Sequence, residues 1–129
     1  MSQIKIFGIK EQLQPVRNRL SDTIHQCIVD VLHLPIGKRA HRFLYLEKED
    51  FFFPEDRTEQ YTIIEITMIA GRKTETKKRL IQELFYRIEA EVGIRKMDLE
   101  ICIYESPACN WGFRGMNGDE IQLDYTIGV

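Results

Sequence analysis

Apolar residues recur sixty positions apart along this chain. Ile4, Ile6 and Ile9 match Ile64, Ile66 and Ile69. Leu20, Ile24, Ile28 and Leu32 match Leu80, Leu84, Ile88 and Val92, and Leu34 matches Ile94. Gly8, which falls on Met68, breaks the pattern. Ile4 and Ile6 alternate around Lys5, which is strand period, whereas the second set steps by four, which is one stripe of a helix. The segments HRFLYLE, beginning at His41, and DLEICIY, beginning at Asp98, follow the two helices and read as short strands. The chain is therefore expected to run β-α-β twice, over about 3–47 and 61–104. A loop and tail at 105–129 would complete one domain over 1–129. Each unit joins parallel strands by a right-handed crossover. Two units can then share one four-stranded mixed sheet with both helices on one face, an α+β fold.

Local punctuation agrees with this reading. Pro15 sits near the start of the first helix, where proline is tolerated. Leu34-Pro35 closes that helix, because the residue before proline avoids the helical region. Thr74 is the expected N-cap of the second helix, with Lys77 rather than Glu at the third helical position, and Gly93 is its expected C-cap.

The alternation also assigns sheet faces. Ile4, Ile6, Leu44, Leu46, Ile64, Ile66, Ile101 and Ile103 are expected under the helices. Lys5, Phe7, Phe43, Tyr45, Glu65, Thr67, Glu100 and Cys102 are expected on the other face. That face is too apolar to be freely solvated and too polar for a dry core. It suits burial against other copies of the chain, hence a homotrimer, with a two-layer monomer as the alternative.

Hydrophobic residues make up 43% and charged residues 29% of the 129, with a net charge of −2, so no global charge draws the chain to nucleic acid. Arg17, Arg19, Lys77, Lys78 and Arg79 read as solvated helix faces. No apolar stretch approaches the ~20 residues that span a bilayer, and the first residues carry no secretory pattern, so a cytoplasmic location without membrane contact is expected. Cys27, Cys102 and Cys109 are odd in number and fit no zinc spacing. Cys27 and Cys102 are expected to be small buried residues. His25 and His33 stand too far apart for a shared metal site, so neither metal nor cofactor is expected.

Three segments carry candidate chemistry. Gly71-Arg72-Lys73-Thr74 turns from a strand into a helix, where backbone N–H groups attract anions and arginine can grip a carboxylate, unless the turn is only exposed and basic. Asn110-Trp111-Gly112-Phe113-Arg114-Gly115 can fold two aromatic rings over a pocket, or those rings can fill core. Phe51-Phe52-Phe53 before Pro54 reads mainly as packing surface. The tail IQLDYTIGV, from Ile121, could add an edge strand to a neighbour.

Together these residues resemble the tautomerase superfamily over about 2–120, with the Gly-Arg turn and the Asn-Trp-x-Phe loop resembling its malonate semialdehyde decarboxylase branch. The resemblance implies chemistry on an amino-terminal proline nitrogen, with arginines holding a substrate carboxylate. Here the proline's position falls at Ser2, and the four prolines, at 15, 35, 54 and 107, are internal. Removal of Met1 would expose at Ser2 a primary amine of reference pKa about 7.7–8.0, a weak base. The decarboxylase's aspartate falls at Lys38 or His41. Of its paired arginines, the first falls at Ala70 and the second at Arg72. The resemblance thus implies a small carboxylate ligand held by Arg72, Lys73 and Lys38 against Trp111 and Phe113. Altered or weak catalysis is expected, with a non-catalytic trimeric binding module as the alternative.

Overall fold

The structure, a computed structural model, describes residues 2–123 and 125–129. Strand β1 (Ser2–Ile9) leads into a single helical turn, α1 (Lys10–Leu13), and then into α2 (Arg17–Leu32), with a 3-10 turn at Gln14–Val16 between them. Pro15 explains the interruption, because it has no N–H to give to the helical ladder. β2 (His41–Leu46) follows. The second half repeats the order with β3 (Thr62–Ile69), α3 (Thr74–Val92) and β4 (Leu99–Ser106), and a small hairpin of β5 (Gly112–Phe113) and β6 (Met116–Asn117) comes last.

The large sheet has the order β2-β1-β3-β4. β1 pairs parallel with β2 and antiparallel with β3, and β3 pairs parallel with β4. Lys5 stands opposite Glu65, flanked by Ile4 opposite Ile66 and Ile6 opposite Ile64. This register is what a twofold axis through the Lys5–Glu65 pair would produce. β1 and β3 also bury the same positions in the same alternation. Ile4, Ile6, Ile64 and Ile66 form the core floor, and Leu20, Ile24, Ile28, Leu80, Leu84 and Ile88 cover it from the helices. Burying such side chains supplies roughly 1.5–3 kcal/mol each.

The break in the repeat has a steric cause. A Cβ at Gly8 would stand 2.6 Å from Leu13 Cδ1, and Leu13 is buried. The turn of α1 folds Leu13 over the strand, and only glycine leaves room. β3 has no such turn after it and carries Met68 at this place.

Three expectations need correction. The faces of β2 are reversed: Ile6 lies beside Phe43 and Gly8 beside Tyr45, so both aromatic rings pack against the core under α2, while Leu44 lies on the open face and is exposed. Both alternating sets of β2 are apolar, so the period alone does not say which faces inward. The N-cap of α3 is Lys73, not Thr74, and makes no side-chain cap. Cys102 is exposed in the isolated chain, on the open face, whereas Cys27 is buried. Gly93 does cap α3, in the left-handed conformation, with its N–H on the carbonyls of Ile88 and Glu89.

The sixty-residue repeat reaches beyond the apolar pattern. A 3-10 turn follows β2 at Lys48–Asp50, and another follows β4 at Ala108–Asn110. Phe51 and Phe53 then correspond to Trp111 and Phe113. Their rings meet edge-on in both halves, 6.1 Å apart in the first and 6.5 Å in the second. In the first half the pair also closes on Tyr61, at 5.4 and 5.7 Å, while Phe52 is 92% exposed. Phe51 and Phe53 therefore serve packing.

Candidate functional site

Strand directions bring the candidate segments to one end of the sheet. β1 begins there at Ser2, beside Met68 near the end of β3. β2 begins there at His41, next to Ile4, and β4 ends there at Ser106, next to Ile69. The loop before β2, the turn after β3 and the loop after β4 thus surround the start of β1.

Within that end the structure separates two groups. Lys38 and Phe113 line a cavity of about 160 Å³ together with Arg114 and Tyr125. Trp111 stands behind Phe113, and its indole N–H donates to the Ser106 carbonyl at 3.2 Å, so the ring is fixed as a prop. Arg72 and Lys73 are not among the residues lining this cavity. The Arg72 side chain is buried and donates to the Leu32 carbonyl at the end of α2, at 3.3 Å. Burial pulls its guanidinium below the ordinary range, and the charge of Glu105 opposes that. Lys73 is exposed, and its backbone N–H donates to the Val129 carbonyl at 3.2 Å. Ser2 is a paired strand residue and only 6% exposed.

The tail lies back on its own chain here. A Cβ at Gly71 would meet Ile127 at 3.0 Å, and Gly71 has a φ of +131°, a conformation that favours glycine.

Sequence reasoning passed over Arg114. It occupies the tip of the hairpin with φ of 56°, followed by Gly115 at 72°, the paired positive angles of a two-residue hairpin turn. The left-handed conformation costs a non-glycine residue roughly 1–2 kcal/mol. The turn sets the guanidinium carbon 5.8 Å from the centre of the Phe113 ring. The signal available in the sequence was the Gly115 that follows.

Of the two positions that could replace the decarboxylase's aspartate, Lys38 lines the cavity. His41 turns toward α2, where its Nδ1 lies 2.8 Å from the Ser21 hydroxyl and its ring meets His25 edge-on at 6.0 Å. Burial, then the charges of Arg39 and His25, push the His41 imidazole down to about 4. The unfolded chain, near the ordinary 6.5, takes up this proton first as pH falls. Stability is therefore expected to decline from about pH 6.5 to pH 4 and then level off as far as His41 is concerned. Urea midpoints across that window should slope in the wild type and flatten in His41→Gln.

Among the described residues no group of three or more His, Cys, Asp and Glu side chains could hold a metal ion, and no helix is long and apolar enough to cross a membrane.

A family model described as tautomerase enzyme matches residues 38–114. A probable tautomerase of Bacillus subtilis strain 168, YusQ, is 31% identical over 100 residues, 74% of this chain and 79% of that protein. This chain belongs to the tautomerase family. Solved tautomerase-fold structures superpose on it closely. FG41 malonate semialdehyde decarboxylase, inhibited by 3-bromopropiolate, is 25% identical with a TM-score of 0.78, covering 86% of this chain and 88% of the other. A fused 4-OT solved as a symmetric trimer is 16% identical, with a TM-score of 0.77 over 91% and 96% of the two chains. The match to this last structure establishes the tautomerase fold alone.

Proposed function

We propose that this tautomerase binds a small keto or oxo carboxylic acid in the cavity lined by Lys38, Phe113 and Arg114, and that it has weak or altered tautomerase or decarboxylase chemistry. One observation carries the reading: two cationic side chains and an aromatic wall meet at the sheet end where β1 begins. Cations at a partly dehydrated wall favour a carboxylate, and arginine can engage both its oxygens. Arg72 and Lys73, at the adjoining turn, are further candidates for holding the acid. The relative at 25% identity is a decarboxylase of malonate semialdehyde, itself a small oxo acid.

The proton-moving group is the weak element. The nitrogen of Ser2 is an amide while Met1 is attached, and a primary amine once it is removed. General acid–base help contributes about 10²–10⁴ in rate, so a primary amine in place of the family's proline should leave slow turnover. A binding module without catalysis is the second reading, favoured by the burial of Ser2 within the strand ladder.

We further propose a homotrimer located in the cytoplasm. Leu44, Glu100, Cys102 and Tyr104 are exposed on the open sheet face of the isolated chain, and contact with other copies would cover them. The fused 4-OT of the same fold, solved as a trimer, supports this assembly.

A sensitive phenylenolpyruvate ketonisation assay tests the catalytic reading. A slow rate that falls further in Arg72→Ala and Arg114→Ala is expected. A background rate unchanged in both variants would remove catalysis. Stabilisation by pyruvate in thermal unfolding would then distinguish a binding module from a protein with no acid site.

A further inference from the structure

We propose that His25 is a positioning residue for the acid site: its imidazole fixes the turn that carries Lys38, without lining the cavity itself. The inference rests on the acid-binding reading above and deepens it. His25 lies on α2 and is only 3% exposed. Its Nε2 stands 2.6 Å from the Ile36 carbonyl oxygen. A carbonyl only accepts, so Nε2 carries a proton and donates. Nδ1 is then left buried with no hydrogen-bond partner among the described residues. Buried polar atoms are nearly always paired, and an unpaired one costs stability. Leucine would fill such a place on a helix without that cost. The nitrogen that is satisfied is the one that reaches the loop after α2, a task beyond filling core.

The bond falls where Lys38 is set. The Lys38 N–H donates to the Pro35 carbonyl at 2.9 Å, closing a four-residue turn with Ile36 and Gly37 at its centre. The Ile36 side chain is 72% exposed and gives the turn little anchorage, so His25 holds it through the backbone instead. Buried Leu34 fixes the chain before the turn. The Ala40 carbonyl, which accepts the Ile4 N–H at 2.9 Å, fixes it after. Arg39 also pairs with Asp22 at 2.7 Å, but both side chains are exposed, and such pairs contribute little. Lys38, which lines the cavity, is thus presented by a turn whose buried tie is His25. A cation on a fixed turn binds an anion better than one on a loose turn, because less freedom is lost on binding.

Pyruvate titrations followed by protein NMR, on wild type, His25→Leu, His25→Gln and Lys38→Ala, test this. His25→Leu keeps the packing and loses the donor, so it should bind pyruvate about fivefold more weakly, a coupling of ordinary size between residues in one network. His25→Gln, whose side-chain amide can donate to the same carbonyl, should bind as the wild type does. In the Lys38→Ala background, His25→Leu should cause no further loss. Thr23→Ala breaks the bond from buried Thr23 to Glu91 elsewhere on α2, so it should lower the melting temperature and leave the affinity unchanged. Should His25→Leu not fold, His25→Asn, whose shorter amide stops before Ile36, takes its place. Wild-type affinity in the variant without the donor, or the same loss with and without Lys38, would overturn the role of His25 and leave the acid site standing. A wild type that binds no pyruvate would overturn both.

Discussion

Asp98→Ala should lower the unfolding free energy by about 3 kcal/mol, as expected for emptying a buried, hydrogen-bonded charge site. Asp98 is fully buried (0% exposed). It accepts from the Thr58 backbone N–H at 2.7 Å, from the Thr58 hydroxyl at 2.6 Å and from Arg95 at 3.3 Å. These bonds tie the long connection between β2 and β3 to the start of β4. Burial alone would raise the carboxyl's pKa, but the bonds from Thr58 and Arg95 outweigh it and hold the group below its usual range. Its contribution is therefore complete above the unfolded value of about 3.9 and is lost as pH falls through the lower folded value. This window lies below that of His41, so a pH series of urea midpoints should separate them. In Asp98→Ala the loss below pH 4 should shrink. An unchanged midpoint at pH 7 would show that Thr58 is held by something else.

Arg114→Ala should weaken pyruvate binding by roughly ten- to a hundredfold, the cost of removing one charge-assisted contact. It should leave the melting temperature within a few degrees of wild type. The side chain stands at an exposed turn, and alanine keeps the same left-handed backbone, so the fold loses little with it. Arg114→Lys separates charge from shape: recovery of less than half the lost affinity would point to bidentate holding. Equal affinity in wild type and Arg114→Ala would place the anion elsewhere, with Arg72 and Lys73 next in line.

Much of the frame could be read from the chain because it is written there twice. A stripe repeated at the same offset in strand and helix periods leaves few arrangements, and the sheet order follows from two crossovers sharing one sheet. What escaped was set by contacts that no period encodes. β2 is apolar on both alternating sets, so its inward face was decided by pairing beside Gly8 and not by pattern. The alternation put Cys102 on the face away from the helices, where it is exposed in the isolated chain although its residue type suggested burial. Of the residues expected at the site, the structure brings Lys38 and Phe113 to one cavity, with Trp111 against Phe113. Arg72 lines no part of it, because its guanidinium is turned to the Leu32 carbonyl at the end of α2. Arg114 and Tyr125 escaped because a hairpin tip and a returning tail are brought to the cavity by tertiary folding alone.

The Lys5–Glu65 register gives the sheet two related ends, which the protein treats differently. At one, Phe51, Phe53 and Tyr61 cluster while Asp98 binds Thr58, so that entrance is plugged by the chain itself. At the other, Lys38 stands sixty residues before Asp98 and lines a cavity. Packing that plugs one mouth thus stands opposite the proposed acid site at the other. Substitutions at Arg114, on the rim of that second mouth, should therefore cost less stability than substitutions at the buried Asp98 of the first.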